Sequence, residues 1–371
     1  MKFAIITHVN HIQVKNQYFG YAPYVHEMNI WLKYSNEIIL VAPNIKADLS
    51  SIDMAYDHSS VKFKTIPSVK FTNLRSCLVS LLKLPLISWK LFWAMKEADH
   101  IHLRCPGNIG LIACFIQILF PAKNKTAKYA GNWDPKSKQP LTYNLQKWIL
   151  KNTFLTHNMK VLVYGKWENQ TKNILPFFTA SYSVAEKEIV EKEDILTTVK
   201  FIFTGTLVEG KNPLYAIKLV EELNKRGIDS TLDLYGEGVE RKGLEEYILQ
   251  NTLDKFVFLH GNQTKEVLKK DYQKSHFVIL PSKSEGWPKT IAEGMFWGCV
   301  PLATNVSCVP YMLDYGKRGV LLKMNIKEDV DQLQMLILDR TVFLEKSKLA
   351  SDWSEHYTTE FFESQIKELL K

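Results

Sequence analysis

The sequence predicts an α/β fold with parallel sheets, divided into about two domains. Apolar strand-like runs alternate with helical patterns from one end of the chain to the other, which is the order typical of parallel sheets. The 371 residues exceed the length that one hydrophobic core usually supports. Residues 1–185 carry 22 Lys and Arg against 9 Asp and Glu, whereas residues 186–371 carry 25 against 30. These observations predict a basic first domain and an acidic second one.

Six apolar runs in the first half are predicted strands. In chain order they are FAIIT, EIILVAP, VKFKTI, HIHLR, TAKYAG and MKVLVYG. Helical patterns such as APYVHEMNIWLKYS and LTYNLQKWILKNTFL lie between several of them. The first run fits a strand better than a signal peptide, because polar residues follow it. The loop after it, THVNHIQVKNQYFGYAP, is long and places Gly20 before the next helix.

The second half alternates more regularly and is predicted to form a six-stranded Rossmann-like unit. Its strand candidates are VKFIFTG, STLDLYG, KFVFLHG, HFVILPS, CVPLAT and GVLLK. The helix NPLYAIKLVEELNKRG follows the first strand, with most of its apolar residues on one face. Gly227 closes this helix in the way a glycine C-cap does.

The boundary between the domains is predicted near Asn173–Ser183. The charge changes sign there, and Pro176 indicates an extended linker. We therefore expect a first domain over 1–175 and a second domain over 176–350. Residues 351–371 are amphipathic and form a closing helix that packs on either domain, or crosses back to the first.

A basic and apolar stretch stands out between Val61 and Lys128. It has 11 Lys and Arg against two acids, Glu97 and Asp99. In SLLKLPLISWKLFWAMK the lysines are interleaved with Leu, Ile, Phe and Trp, a pattern that favours an anionic membrane surface over nucleic acid. The alternative is a pair of buried helices whose lysines reach out to solvent. No run has the roughly 18 apolar residues that would span a bilayer.

The cysteines give no sign of a metal site or a disulfide framework. The five of them are Cys77, Cys105, Cys114, Cys299 and Cys308, without CxxC or zinc-type spacing. An odd number at irregular spacing predicts buried or free thiols in a reducing compartment.

Ligands of open parallel sheets bind beyond the carboxyl ends of the strands, so the turns there are the candidate site. The first strand of the second half ends at Gly205 and Thr206, and Lys211 follows at a helix start. A glycine turn, a lysine and helix N–H groups together favour a phosphate. The alternative is an ordinary βα turn with a surface lysine.

Glycines also follow the next two strands. Gly236 and Gly238 follow the second strand, and Gly261 and Asn262 follow the third. Glycine lets a backbone approach a flat ligand such as a base closely, although the signal from a single GxG is weak.

The fourth strand is followed by SEGWPKTIAEG, which contains two glutamates, Glu285 and Glu293. A helix beginning near Pro288 and ending near Trp297 would put Glu293 on the same face as Lys289. Carboxylates accept several hydrogen bonds and therefore suit sugar or ribose hydroxyls. The exposed N–H groups between them suit a diphosphate, and the turn residues are Gly286, Trp287, Pro288, Lys289 and Thr290. The alternative is a capped helix with spare acids.

At this point the chain resembles the retaining glycosyltransferases of the GT-B fold, of the family-4 or group 1 type. The resemblance rests on the E-x7-E spacing of SEGWPKTIAEG and on FTGTLVEGKNP, LYGEGVE, FVFLHGN and VILPSKSEGWPKTIAEGMFWGCVPLAT, which occur in the family's order. It covers roughly Lys200–Lys323 and is looser before that. It implies two Rossmann-like domains whose parallel sheets face each other across a cleft, with the nucleotide-sugar donor on the C-terminal domain.

The resemblance also implies a function for individual residues. Glu293 matches the carboxylate that holds the ribose hydroxyls, and Glu285 matches the one near the donor sugar. Gly286–Thr290 match the amides at the sugar and diphosphate, and Lys211 matches the phosphate-binding lysine. The implied reaction transfers a sugar with retained configuration and needs no metal, because Lys211, the amides and a helix dipole stabilise the leaving diphosphate.

The chain departs from the family pattern at three places. Thr206 stands where an arginine is common, so a second diphosphate clamp is missing or comes from Arg104 or Lys128. Where the family often has a histidine, this chain reads KYAGNWDPKSK, which would place Asn132, Trp133 or Asp134 at the cleft. The third departure replaces a Gly-Gly pair by Ser307 and Cys308. The resemblance implies that the N-terminal domain over 1–175 binds the acceptor and that its first loop lines the acceptor side. His8, His11 and Gly20 in this loop are further candidates, although a loop histidine is more often structural.

The sequence therefore predicts a cytoplasmic glycosyltransferase, peripheral on the inner face of the cell membrane. Its donor would be a UDP- or GDP-sugar and its acceptor a lipid-linked or polysaccharide glycan, with no cofactor. Two alternatives stay open: a nucleotide-sugar-binding partner subunit with little catalysis, and a GT-B epimerase or hydrolase.

Overall fold

The structure, a computed structural model, describes residues 1–50, 52–69, 74–190, 192 and 194–371, with no side chains between 74 and 79. Two compact units divide the chain. Unit 1 comprises Met1–Phe178 together with Glu363–Lys371, and unit 2 comprises Thr179–Phe362.

Unit 1 is built on a seven-stranded parallel sheet. The strands of the unit are β1 (Lys2–Ile6), β2 (His11–Val14), β3 (Gln17–Tyr21), β4 (Glu37–Ala42), β5 (Asp53–Ala55), β6 (Val61–Thr65), β7 (His100–Cys105), β8 (Asn124–Tyr129), β9 (Met159–Tyr164) and β10 (Ile174–Phe177). The large sheet has the order β10-β9-β8-β7-β1-β4-β6. All six strands predicted in this half are present in it. The inner five are mostly buried, whereas β6 at the edge of the sheet is partly exposed.

Two parts of unit 1 differ from the prediction. The loop after β1 contains β2 and β3, which pair antiparallel with each other and with β5 in a small sheet. Part of the predicted linker is the edge strand β10, which pairs with β9. Pro176 fits there because an edge strand leaves one side of its backbone without ladder hydrogen bonds.

Four helices pack on the large sheet. They are α1 (Ala22–Leu32), α2 (Leu74–Glu97), α3 (Asn108–Ile116) and α4 (Leu141–Lys151). Helix α3 packs against both α2 and α4, and the inner residues of all three share one hydrophobic core with β1, β7, β8 and β9. Among the helices that the structure describes, none is long and apolar enough to cross a membrane.

Unit 2 contains the six predicted strands in a single parallel sheet. They are β11 (Val199–Thr204), β12 (Ser230–Tyr235), β13 (Val257–Gly261), β14 (Phe277–Leu280), β15 (Val300–Thr304) and β16 (Val320–Leu322), in the order β13-β12-β11-β14-β15-β16. The central pair is thus β11 and β14, where the strand order reverses. Ligands of open α/β sheets bind outside the strand ends at such a point.

Helices connect the strands of unit 2 and complete the chain. They are α5 (Pro213–Lys225), α6 (Arg241–Gln250), α7 (Lys265–Lys274), α8 (Lys289–Phe296), α9 (Val309–Met312), α10 (Ile326–Leu338), α11 (Arg340–Ser354) and α12 (Thr359–Leu370). Helix α8 begins directly after Pro288 and ends one residue before the predicted Trp297. Gly294 allows α8 to pack closely on β14, since a Cβ there would lie 2.6 Å from Val278 Cγ1.

The last residues of the chain belong to unit 1. Within this unit, Glu363 accepts hydrogen bonds from Lys33 Nζ at 2.7 Å and from Tyr34 Oη at 2.9 Å. Lys160 Nζ donates to the carbonyl of Leu369 at 3.3 Å. Unit 1 is therefore completed by a segment that follows all of unit 2 in the sequence.

Candidate active site

The turn before α8 is fixed against the end of β11. Thr290, in the first turn of α8, donates its hydroxyl to the carbonyl of Thr204 at 2.9 Å. The Thr204 hydroxyl in turn contacts the Tyr272 hydroxyl at 2.6 Å. The β11 turn and the start of α8 thus meet at the carboxyl edge of the sheet, where the sequence placed the site.

Lys211 and Glu285 form an ion pair at this edge. Lys211 Nζ lies 2.5 Å from Glu285 Oε1. The Glu285 side chain is buried, whereas the Lys211 side chain is 30% exposed. Two residues 74 positions apart, predicted to be neighbours of the same ligand, are therefore in direct contact. Lys211 keeps access to solvent, so its ammonium can also meet an anion.

Glu293 lies in the second turn of α8, and its carboxylate accepts hydrogen bonds from two hydroxyl groups. Ser181 Oγ donates to Glu293 Oε1 at 2.5 Å, and Tyr272 Oη donates to Glu293 Oε2 at 3.4 Å. Burial, followed by the charge of Glu293, raises the pKa of Tyr272 well above its usual value. Tyr272 therefore stays a protonated donor at neutral pH.

A small cavity opens beside this carboxylate. Lys289 and Glu293 line it together, as their spacing of four along the helix predicts, and Thr179, Ser181 and Tyr182 complete that wall. Neither Ser181 nor Tyr272 was expected from the sequence. Ser181 stands 112 positions before Glu293, and no local pattern connects the two.

The glycines after β11 and β12 have a structural reason for their place. A Cβ on Gly236 would lie 1.9 Å from the carbonyl oxygen of Gly205, and Gly236 has a φ of +135°. The backbones of the two turns are therefore in contact, and this contact requires glycine at position 236 whether or not a ligand binds there. Gly261 accepts a hydrogen bond from the Gly236 N–H at 2.8 Å, and the neighbouring Asn262 is exposed. Thr206, the residue at the first departure, is exposed as well.

Trp287 anchors the turn rather than projecting from it. Its ring is buried, stacks on Trp353 at 6.0 Å and contacts Tyr357 at 5.5 Å. The guanidinium of Arg318 lies over the Trp353 ring, with its Cζ 5.0 Å from the ring centroid. Pro288 is also buried. What Trp287 offers a ligand is therefore its backbone.

Ser307 and Cys308, the third departure from the family pattern, support the same turn from the other side. The Cys308 thiol donates to the carbonyl of Gly286 at 3.0 Å, and the Ser307 hydroxyl does so at 3.4 Å. Burial raises the pKa of Cys308 to about 12, so the thiol remains a donor. Cys105, Cys114, Cys299 and Cys308 are all free and buried, as predicted, whereas the Cys77 side chain lies outside the described residues.

The basic residues of unit 1 that were candidates for a diphosphate clamp are paired with Glu27. Lys128 Nζ is fully buried, 2.8 Å from Glu27 Oε1, and also donates to the carbonyl of Phe178 at 3.1 Å. Arg104 Nη1 lies 3.4 Å from the same Glu27 oxygen and over the ring of Tyr24. Lys128 is thus a structural residue, because its charge is already compensated in the interior.

The first loop gives its two candidates different surroundings. His8 is exposed and lies over Gly107, where a Cβ would come within 3.0 Å of His8 Nδ1. Gly20 is buried in β3, opposite His11. The His11 imidazole is buried and hydrogen-bonded to Val9 and Tyr56, which is the structural alternative that we favoured for a loop histidine.

The prediction that Trp133 lies at the cleft, in the loop after β8, is wrong. The Trp133 side chain is fully buried, with its ring centroid 4.8 Å from that of Tyr129, and its indole N–H donates to Gln170 at 3.1 Å. A large aromatic ring gains more from this core position than from solvent. Asn132 and Asp134 are half-buried and accept hydrogen bonds from backbone N–H groups two residues further on. Among the described residues, no group of three or more His, Cys, Asp or Glu could hold a metal ion.

The segment that contains this site resembles proteins of known families. The family model described as "Glycosyl transferases group 1" matches residues 185–356. An uncharacterized glycosyltransferase of Haemophilus influenzae is 26% identical over 218 residues, which cover 58% of this chain and 60% of that protein. This chain spans between 26% and 60% of the length of the curated relatives that it matches.

Solved structures match the whole chain. The lipopolysaccharide outer core galactosyltransferase WaaB aligns with a TM-score of 0.70 at 16% identity, covering 100% of this chain and 99% of that one. HepE of Anabaena, in complex with UDP and glucose, aligns with a TM-score of 0.69 at 15% identity and the same coverage. The predicted GT-B fold is thereby confirmed. Residues 185–356 thus resemble the glycosyl transferases group 1 family, and the chain as a whole shares the fold of these glycosyltransferases.

Proposed function

We propose that this protein is a retaining glycosyltransferase that moves a sugar from a UDP- or GDP-sugar to a lipid-linked or polysaccharide acceptor. The observation that carries the proposal is the grouping of Lys211, Glu285 and Glu293 at the carboxyl edge of β11 and β14, inside the segment that matches the family. The presence of UDP in the HepE complex supports a uridine nucleotide as the first donor to test.

Each group in this site has one task in the proposed reaction. Glu293, oriented by Ser181 and Tyr272, accepts the hydrogen bonds of the ribose hydroxyls. Glu285 contacts the donor sugar. As the bond between the sugar and the diphosphate breaks, Lys211 and the N-terminal amides of α8 compensate the negative charge that develops on the leaving diphosphate. The transfer then needs no metal.

The acceptor is proposed to be a glycan at the inner face of the cell membrane. The support for this is the excess of basic residues over Val61–Lys128, which favours an anionic surface.

Calorimetry with Glu293→Gln tests the donor site. The change keeps the shape of the side chain but removes its charge, so UDP should bind about 10- to 100-fold more weakly, as expected for a charge-assisted hydrogen bond pair. Glu266→Gln, on the exposed first turn of α7, is the control and should bind UDP like the wild type. If Glu293→Gln bound UDP and GDP as tightly as the wild type, Glu293 would not be the residue that holds the ribose hydroxyls.

Product analysis tests the reaction itself. The purified protein is incubated with UDP- and GDP-sugars, with and without a lipid-linked or polysaccharide acceptor extract. Sugar transferred to the acceptor with the donor's anomeric configuration is the expected product. Free sugar or an epimer formed without acceptor would indicate a hydrolase or an epimerase, and binding without turnover would indicate a partner subunit.

A further inference from the structure

From Ser80 onward, where its side chains are described, helix α2 is apolar on two opposite faces. Its inner residues Ile87, Leu91 and Met95 are buried in the core of unit 1. The outer stripe, spaced as one helical face, is exposed: Leu82 is 82% exposed, Trp89 is 62% exposed, and Leu86 and Trp93 lie between and beyond them. An amphipathic helix on a soluble protein surface normally has a polar outer face. The outer stripe of α2 therefore has no explanation in the packing of unit 1.

The exposed stripe continues across the neighbouring helices. Because α3 packs against both α2 and α4 and all three share one core, their exposed faces lie on the same side of the sheet. Exposed apolar side chains on or beside α3 and α4 extend it; they are Phe115, Leu119, Leu141, Leu145, Trp148 and Phe154. We call this surface, with the α2 stripe, the outer helical face. Many large apolar side chains exposed on one side of a unit indicate a site of interaction.

The part of the sequence that contributes the outer helical face is strongly basic. Residues 61–167 contain 17 Lys and Arg against three acids. Glu97 is hydrogen-bonded to Lys62 and Lys64, which lower its pKa to about 2 and compensate its charge. Lys96 lies over the ring of Trp93 at 4.6 Å. The surface thus combines tryptophan and leucine side chains with cations at their edge.

This composition fits an anionic bilayer better than a protein partner. Tryptophan is enriched at the level of lipid headgroups, where its ring meets hydrocarbon and its N–H meets water. Lysines beside it attract anionic headgroups and reach them with flexible stems. A second copy of the chain would bring the same positive charges against each other, which disfavours self-association through this surface.

We infer that the outer helical face docks on a bilayer rich in anionic lipid, with Trp89, Trp93 and Trp148 seated among the headgroups. The inference deepens the proposed function and rests on it for the choice of a membrane acceptor. It adds the part of unit 1 that makes the contact, including α4, which lies beyond the basic stretch singled out in the sequence.

Vesicle flotation tests the inference with a triple variant, Trp89→Ser, Trp93→Ser and Trp148→Ser. Wild-type protein should float with vesicles of phosphatidylcholine and phosphatidylglycerol, less with phosphatidylcholine alone, and less in high salt. The triple variant should need at least tenfold more lipid for half-maximal binding. Leu249→Ser with Leu338→Ser, two exposed leucines of unit 2, is the control and should float like the wild type.

Several outcomes would overturn the inference. They are equal flotation of wild type and triple variant, no flotation of the wild type, and a dimer in analytical ultracentrifugation that the triple variant abolishes, which would identify a second copy as the partner. UDP calorimetry on the triple variant separates this test from that of the proposed function, because donor binding should be unchanged. Should the triple variant fail to fold, Leu82→Glu, at a highly exposed position, gives the same comparison.

Discussion

The two units place their candidate residues in different kinds of surroundings. In unit 2, Glu285 and Glu293 belong to a single turn and helix, and Lys211 reaches Glu285 from the neighbouring strand end. In unit 1, the candidate residues predicted from the sequence do not form one group. Trp133 is buried in the core, and the charge of Lys128 is compensated by Glu27. The positions of residues in one turn at a strand end follow from local sequence. The positions of residues in several separate loops depend on how those loops pack. The distinctive surface of unit 1 is instead the outer helical face.

Acid should reveal the largest difference between the units. Unit 1 buries His11, His100 and His102, and burial lowers their pKa values to about 4, 4 and 3. A histidine whose pKa is lowered by folding stabilises the fold above its unfolded pKa near 6.5 and loses that contribution as the pH falls. Between pH 7 and pH 5 the free energy of unfolding should drop by about 2 kcal/mol for each, or about 6 kcal/mol in total.

Hydrogen exchange read by mass spectrometry from pH 7 to pH 5, corrected for intrinsic rates, measures this unit by unit. Peptides of unit 1 should lose protection first, since the described part of unit 2 buries one histidine, His276. His102→Phe should shift the loss to lower pH, whereas His157→Gln, at an exposed position, should not. Simultaneous loss of protection in both units would contradict the prediction.

The close contact of two turns makes unit 2 sensitive to one methyl group. In Gly236→Ala the new Cβ would meet the Gly205 carbonyl, and its φ of +135° is unfavourable for alanine. We expect unit 2 to lose about 3 kcal/mol of stability and UDP binding to be lost with it. Denaturant unfolding followed by calorimetry checks this. Gly243→Ala, in α6 with open space around the new methyl group, should be neutral or slightly stabilising.

The smallest expected effect concerns the thiol that supports the turn. Cys308→Ala removes the donor to the Gly286 carbonyl, which should weaken UDP binding a few-fold and cost about 1 kcal/mol of stability. Cys308→Ser keeps a donor and should restore UDP binding. If alanine and serine have the same affinity, the hydrogen bond does not position the turn.

Much of unit 2 could be predicted because its signals are local. Each strand is a short apolar run that ends in a turn, and the rule for strand ends brought Lys211 and Glu285 together. Ser181 and Tyr272 escaped prediction because only the folded chain brings them to Glu293.

In unit 1 the errors have similar physical origins. The strands β2 and β3 of the hairpin are short and mix polar with apolar residues, so no continuous apolar run marks them. Pro176 made the edge strand β10 look like a linker. Trp133 lay in a polar segment, NWDPKSK, which gave no sign that its ring enters the core.

The late return of the chain to unit 1 bears on how the protein is made. Lys33 and Tyr34 meet their partner Glu363 only after the ribosome has added the whole of unit 2. At roughly 5–20 residues per second, the first unit waits on the order of ten seconds or more for its final helix. Its first 178 residues must therefore persist without that helix while the second sheet is still emerging from the exit tunnel.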